Sequence, residues 1–319
     1  MGPSSREQPA NIGFLGFGEA ARSFAQSLTA RQTRIRLFAW DILLDGSGRS
    51  AAMREIMAAH EVEMLSGPDS FGNCDLIFSA VTASQCLGAI GSLAPFVRPG
   101  QSIIDINSVA PAIKRQAADT IGTYGAAYLD MAVMAPVHPN GHGTAVCVAG
   151  PTVGELWPIL EDMGFNGQVV GTEAGAATAI KMVRSLFVKG LEAITVEALL
   201  AAEASGCFDI ILASLAASYP GLGWPTIASY HLDRVISHGK RRSEEMLMSA
   251  ETLNALGLNG NLARHIAAVH ALTHAATAGG ANRSLRGLVS LVLAHRLGDA
   301  SRQISSPFAS GSEPDTTEI

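Results

Sequence analysis

The sequence has no long run of basic residues, no close pair of cysteines and no uncharged apolar stretch of the roughly 18 residues that a bilayer crossing needs. With a net charge of -6, the missing basic run argues against nucleic acid as a partner, and the missing span argues against a membrane. Cys74, Cys86, Cys147 and Cys207 form neither a C-x-x-C pair nor a zinc-spaced cluster, so they are expected to be reduced, buried core residues of a cytoplasmic protein. Residues 1–10 are polar, carry two prolines and lack an apolar core, which reads as a disordered N-terminus and not as a signal peptide. What remains is 319 residues, 48% hydrophobic but only 6% aromatic, with 33 glycines. That describes a compact globular chain of about two domains.

The glycines concentrate their meaning at one turn, Gly13-Phe14-Leu15-Gly16-Phe17-Gly18-Glu19-Ala20-Ala21, which follows a short apolar run from Ile12 and opens onto a helical stretch over 20–28. In Gly16-x-Gly18-x-x-Ala21 the first glycine permits a tight turn, the second lets a phosphate approach bare backbone, and the alanine lets helix and strand pack closely. The helix N-terminus then favours an anion. A plain strand-to-helix turn gives the same pattern. The context favours a dinucleotide cradle of Gly16, Phe17, Gly18, Glu19 and Ala20, because a second strand over 34–40 ends in Asp41, where a ribose-reading acid belongs. Asp41 should accept hydrogen bonds from ribose hydroxyls and repel a 2′-phosphate, which favours NAD; Arg49 could offset the repulsion and leaves NADP open.

Further strands are expected over 61–65, 75–81, 102–106, 128–134, 144–149 and 168–170, with helices over 51–59, 112–123 and 151–163. This alternation predicts an α/β fold, an N-terminal Rossmann-type doubly wound and mostly parallel sheet over 11–171. Val81 and Thr82 fall at the carboxyl end of a central strand, where such sheets bind ligands, although Thr82 or Ser84 would serve equally as a helix cap. From residue 172 the character becomes all-helical. A long alanine-rich helix over 174–203, buried on several sides, precedes helices over 208–218, 226–237, 243–256, 261–278 and 285–297. The helical domain spans 172–297, and 298–319 reads as a disordered tail.

Lys181 interrupts the apolar start of the long helix, where an unpaired buried ammonium would cost several kcal/mol, so it is expected to face a cleft or a partner. Burial lowers the pKa of a lysine, and such a group could exchange a proton with a substrate hydroxyl. Ser185 and Arg184 follow within one turn on the same side. The order of features, a glycine turn, then Asp105-x-Asn107-Ser108-x-x-Pro111, then Gly175-x-x-x-x-x-Lys181-Met182-Val183, resembles the β-hydroxyacid dehydrogenase family, which includes 3-hydroxyisobutyrate and 6-phosphogluconate dehydrogenases. The resemblance covers roughly 12–257. It implies an NAD(P)-dependent oxidoreductase in which Lys181 is the general acid or base, Ser185 replaces an orienting asparagine, and Asn107 and Ser108 meet nicotinamide ribose and substrate. It also implies a homodimer, with 172–297 as the substrate and dimerisation domain. Arg184 matches a substrate-contacting position, or is a surface charge.

The departure from the family comes at Met134-Ala135-Pro136, where it reads Ser-Gly-Gly. Pro136 has no N–H and Met134 has no hydroxyl, so the cradle for a substrate carboxylate is altered and a bulkier or less anionic substrate is expected. A replacement donor could come from the run His238-Gly239-Lys240-Arg241-Arg242, expected at the start of a helix, with Arg241 as the candidate; His231 is either a pocket residue or a core one. Two other readings stay open, an imine reductase, whose proton donor is typically not lysine, and a non-catalytic nucleotide-binding scaffold.

Overall fold

A computed structural model describes residues 10–31, 34–46, 48–276 and 284–304. Strands β1 (Asn11–Leu15), β2 (Arg36–Trp40), β3 (Glu63–Met64), β4 (Leu76–Ser79), β5 (Ser102–Asp105), β6 (Ala127–Val133), β7 (Ala145–Ala149) and β8 (Asn166–Gly171) make one sheet. Helices α1 (Glu19–Arg31), α2 (Ser50–Ala59), α3 (Cys86–Leu93), α4 (Pro111–Gly122) and α5 (Val153–Asp162) connect them. The strand order is β3-β2-β1-β4-β5-β6-β7-β8, and all neighbours are parallel except β6 and β7. Winding reverses between β1 and β4, which leaves a crevice at their carboxyl ends, the place where open α/β sheets bind ligands. The central strands read as apolar runs because they are covered on both faces; every residue of β4 and β5 is buried. Helix α3 went unread in the sequence because Gly88 and Gly91 interrupt its eight residues.

The chain beyond the sheet is helical: α6 (Ala176–Ala204), α7 (Phe208–Ser218), α8 (Thr226–Ala255), α9 (Asn261–His274) and α10 (Leu285–Ile304). By contacts, one compact unit comprises Met1–Arg184 with Glu251–Leu258, and the other Ser185–Ala250 with Asn259–Ile319. The second unit packs around Val196, Leu199, Phe208, Leu232, Val235 and Val289. Beside this apolar core lie buried charges. Lys189 pairs with Glu245 at 2.8 Å, and Arg242 pairs with Glu192. His270 donates from Nε2 to the Lys189 carbonyl at 3.1 Å, and burial lowers its pKa to about 4, so it is neutral there.

Several expectations are corrected. Helix α10 runs past Gly298 to Ile304; the remainder of the expected tail, 305–319, and residues 1–9 of the expected N-terminal arm lie outside the described residues. Helix α6 is buried on several sides as expected and leaves one face open, with Ile180, Val183, Phe187 and Ile194 exposed. Cys74 and Cys86 are buried but Cys147 and Cys207 are only partly so; all four are free thiols. The helices expected over 226–237 and 243–256 are one helix, α8, so Arg241 and its neighbours sit in a helix interior and not at an N-terminus.

Gly239 explains that last error. In sequence it reads as a helix break, but a Cβ there would stand 2.4 Å from the His270 carbonyl oxygen and 2.6 Å from His274 Cβ. The glycine is needed because α8 and α9 cross in close contact, not because the chain turns. Gly239→Ala should therefore reverse the usual gain of a glycine-to-alanine change in a helix and destabilise the protein by about 1–3 kcal/mol. Chemical denaturation of the two proteins checks this, and a more stable variant would refute the close crossing.

Candidate active site

The glycine turn closes β1 onto its neighbours. Gly16 has φ +87°, and its N–H donates to the Trp40 carbonyl at 2.8 Å. A Cβ on Gly16 would stand 2.7 Å from the Ala80 carbonyl oxygen and 2.8 Å from Val81 Cγ1. Around Gly18, in contrast, nothing lies within 4 Å of a built Cβ. One glycine is required by the fold and the other leaves open space at the start of α1, where Glu19 and Ala20 form the first turn. These are the residues and the room that a dinucleotide pyrophosphate requires, so the cofactor implied by the fold fits. Phe17 contributes only backbone: its ring is fully buried against Phe14 and His60.

Asp41 reaches this turn directly. Its Oδ2 accepts from the Phe17 N–H at 2.8 Å and its Oδ1 from the Leu43 N–H at 3.0 Å. Sequence reading had given it only ribose hydroxyls as partners. A carboxylate has about four acceptor positions, so two remain for a ligand while the other two hold the cradle to the end of β2.

From Gly16 the site continues along the carboxyl ends of β4 and β5. Val81 abuts Gly16, and its N–H donates to Asn107 Oδ1 at 2.7 Å. Asn107 Nδ2 donates to Ser79 Oγ at 2.9 Å and approaches Cys86 Sγ at 3.6 Å. Asn107 is thus buried and committed on both sides of its amide, so it shapes the loop in place of offering a free group to substrate. Thr82 precedes a short 3-10 turn without a side-chain cap. Next to Asn107 stands Ser108, half-buried, whose Oγ accepts a hydrogen bond from Lys181 Nζ at 2.6 Å.

Beneath this pair lies a cluster that the sequence reading missed. Lys114, fully buried, sits 2.8 Å from Asp105 Oδ1 and 3.4 Å from Asp130 Oδ1, and donates to the Asp105 carbonyl at 2.7 Å. Asp105 also accepts from the Asn107 N–H at 2.9 Å and from the Tyr128 hydroxyl at 2.7 Å. Asp130 caps α6, accepting from the Gly175 and Thr178 N–H groups at 3.0 Å and from Thr178 Oγ1 at 2.7 Å. Burial alone would lower the Lys114 pKa, but the two carboxylates outweigh it and raise the value above that of an ordinary lysine. Burial, with Asp105 adding to it, pushes the Cys86 thiol up to about 12, so it is no nucleophile. The sequence carries only a partial signal for Lys114, its place on the buried face of α4 with Ala117 and Ile121, three and seven residues on; its two partners cannot be read from that spacing.

The remaining candidates divide between the units. Met134 is half-buried against Ala132, Ala149 and Ala177, and its N–H donates to the Ala145 carbonyl at 2.9 Å; Ala135 and Pro136 are exposed. Arg184, the last residue of the first unit, is exposed. Ser185, His231 and Arg241 belong to the second unit. Ser185 Oγ accepts from Lys189 Nζ at 3.0 Å, and His231 is buried with Nδ1 3.0 Å from Thr195 Oγ1. Arg241 pairs with Glu245 one turn away at 3.2 Å, so as found it is an intrahelical ion pair. A cavity of about 330 Å³ in the first unit is lined by Pro111, Arg115, Glu173, Ala179 and Val183, but the α6 residues it uses face away from Lys181. Among the described residues no cluster could hold a metal ion, and no helix is long and apolar enough to cross a membrane.

Comparison with known proteins bears on the family and the fold. Residues 11–171 match the family described as the NAD binding domain of 6-phosphogluconate dehydrogenase, and residues 202–273 match a domain of unknown function. The chain is similar to a conserved hypothetical protein from Sinorhizobium meliloti 1021, at 35% identity and TM-score 0.72, covering 90% of this chain and 96% of that one. It is also similar, at 29% identity and TM-score 0.65 over 82% of this chain and 96% of that one, to a protein of unknown function reported to resemble 3-hydroxyacid dehydrogenases. The Mycobacterium tuberculosis 3-hydroxyisobutyrate dehydrogenase shares the fold, with 17% identity and TM-score 0.66 over 88% of this chain and 98% of that one.

The two glycines of the turn should separate fold from ligand. Gly18→Ala should melt within about 2 °C of the parent, because its Cβ meets open space, yet bind NADH at least about tenfold more weakly. Gly16→Ala should lose both stability and binding. NADH fluorescence titration and thermal melting check this, and full NADH affinity in Gly18→Ala would remove the turn from the cofactor site.

Proposed function

Because the chain belongs to the β-hydroxyacid dehydrogenase family, through an N-terminal domain of the 6-phosphogluconate dehydrogenase type, we propose that it is an oxidoreductase for a secondary alcohol or its ketone. Bound nicotinamide would supply hydride acceptance or donation, held by the turn at Gly16 and Gly18, by Asp41, and by Val81 and Thr82. The observation that carries the reading is the hydrogen bond from Lys181 Nζ to Ser108 Oγ at 2.6 Å. It fixes an ammonium group at the carboxyl end of β5, in the row of residues that begins at the glycine turn. Lys181 in its neutral form accepts the proton of a substrate hydroxyl, and in its charged form returns it to a carbonyl oxygen. Ser108 keeps Nζ in one place and accepts one of its protons.

The domain division belongs to the same reading: 11–171 holds the cofactor and 172–297 the substrate and a partner subunit. Ile210 on α7 and Leu262 and Leu272 on α9 are exposed apolar side chains that a second copy would cover. NAD is the favoured cofactor, since a free acceptor position on Asp41 suits a 2′-hydroxyl and opposes a 2′-phosphate.

The test is a screen of hydroxy acids, sugar acids, aryl ketones and imines, followed by NADH absorbance. On the best substrate, Lys181→Met should lower kcat/KM by about 10²–10⁴-fold and leave the NADH Kd within about twofold. A Lys181→Met protein with parental rate and pH profile would eliminate the proton-transfer role. Steady-state comparison should give the higher kcat/KM with NADH; a higher value with NADPH would overturn the role of Asp41.

A further inference from the structure

The Asp105, Lys114 and Asp130 cluster touches neither the cradle nor the substrate side of Lys181, yet it binds the two segments on which the reaction pair is mounted. The first is the loop after β5. Asp105 Oδ1 accepts from the Asn107 N–H at 2.9 Å, and Asn107 in turn holds Val81, so the backbone from which Ser108 projects is fixed one residue before Ser108. The second is the start of α6. Asp130 holds the Gly175 and Thr178 N–H groups at 3.0 Å and the Thr178 hydroxyl at 2.7 Å, one helical turn before Lys181. Lys114 is in contact with both carboxylates, at 2.8 Å and 3.4 Å.

An apolar side chain of the same volume fills a buried space about as well as an ion pair, so packing alone does not call for a lysine at this position. An ammonium differs from a methyl group in requiring acceptors at set distances and directions. Here those acceptors are the Asp105 carboxylate, the Asp105 carbonyl and the Asp130 carboxylate. Their separation is therefore set by Lys114, and with it the separation of the loop end from the helix end.

We infer that Lys114 is the positioning residue of this site, a buried ammonium that sets the spacing of the Ser108 loop and the Lys181 helix so that the two side chains meet. The inference rests on the assignment of Lys181 and Ser108 to the reaction. Lys114 itself transfers no proton; it acts through Asp105 and Asp130.

The test is a double-mutant cycle on the full-length protein, read by the pH midpoint of Lys181 acetylation with acetic anhydride, quantified by peptide mass spectrometry. Ser108→Ala removes the acceptor that favours the charged amine and should lower the midpoint. Lys114→Met removes a nearby positive charge, which by itself raises the midpoint, and separates Lys181 from Ser108, which lowers it. The first effect is present in both backgrounds, whereas the second exists only where Ser108 is present. The expected result is that Lys114→Met shifts the midpoint further downward in the parent than in the Ser108→Ala protein, by the equivalent of at least about a threefold change in labelling rate near the midpoint. Equal shifts in the two backgrounds would confine Lys114 to holding the fold and overturn the inference, whatever the change in melting temperature. If Lys114→Met does not fold, Asp130→Asn, which keeps the shape of the cap on α6, replaces it in the same cycle with the same two outcomes. Labelling needs no turnover. An error in the catalytic reading would appear as an active Lys181→Met enzyme, and an error in the positioning role as equal midpoint shifts.

Discussion

Two carboxylates and one ammonium without contact with solvent bring together the end of β5, the middle of β6, the start of α6 and the first turn of α4. Each ion taken alone into the interior would cost several kcal/mol, and removing one member of such a group typically costs about 3–5 kcal/mol because the others are left uncompensated. The charges do not cancel within the group, since two carboxylates face one ammonium. The remainder is taken up by the N–H groups of Gly175 and Thr178, the positive end of α6, and by the Tyr128 hydroxyl on Asp105. The cluster is stable only as a whole, which makes the positions of Ser108 and Lys181 a collective property of the unit.

The cofactor cradle is built on a different constraint, steric and not electrostatic. Gly16 must be glycine because its φ of +87° and the Ala80 carbonyl 2.7 Å from a built Cβ leave no alternative. Asp41 then ties the turn to β2 through the Phe17 N–H, and Asn107 ties β4 to β5 through the Val81 N–H. Both are polar side chains that sequence reading assigns to ligands. In the folded chain they first satisfy backbone donors at the carboxyl ends of strands, where the ladder has run out of partners. Such a residue shapes the site before it binds anything; Asn107 is buried, whereas Asp41 is partly exposed and keeps acceptor positions that a ligand can reach.

The parts of the fold that were legible in the sequence are those in which one short pattern has one physical meaning. The glycine turn, the apolar runs of β4 and β5 and the long helix α6 belong to this class, as does Lys181, a charge on an apolar stretch beside a recognisable motif. Gly239 and Lys114 were not legible because their reasons are tertiary. A glycine within a helical stretch marks a break or a close crossing, and only the position of the His270 carbonyl decides between them. Lys114 lies on the buried face of α4, but its partners are 9 and 16 residues away, on two strands. Arg241, Ser185 and His231 show the converse: residue types suited to a site whose bonds in the second unit go to Glu245, Lys189 and Thr195.

The same distinction bears on what the site can accept. Where the family has Ser-Gly-Gly, this chain has Met134, Ala135 and Pro136; the first change removes a hydroxyl and the last removes an N–H. The Met134 N–H is used by the Ala145 carbonyl at 2.9 Å, its thioether packs among Ala132, Ala149 and Ala177, and Pro136 has no N–H. A hydrogen bond to a charged group is worth about 1.5–3 kcal/mol, so a carboxylate at this place would bind weakly for want of donors, and an apolar substituent would not. A thioether that deforms easily beside an exposed proline suits a flat or bulky apolar group. On the proposed assignment, Lys181 and Ser108 would suit any secondary alcohol, and selection among substrates would fall to this loop, whose composition disfavours the more anionic ones.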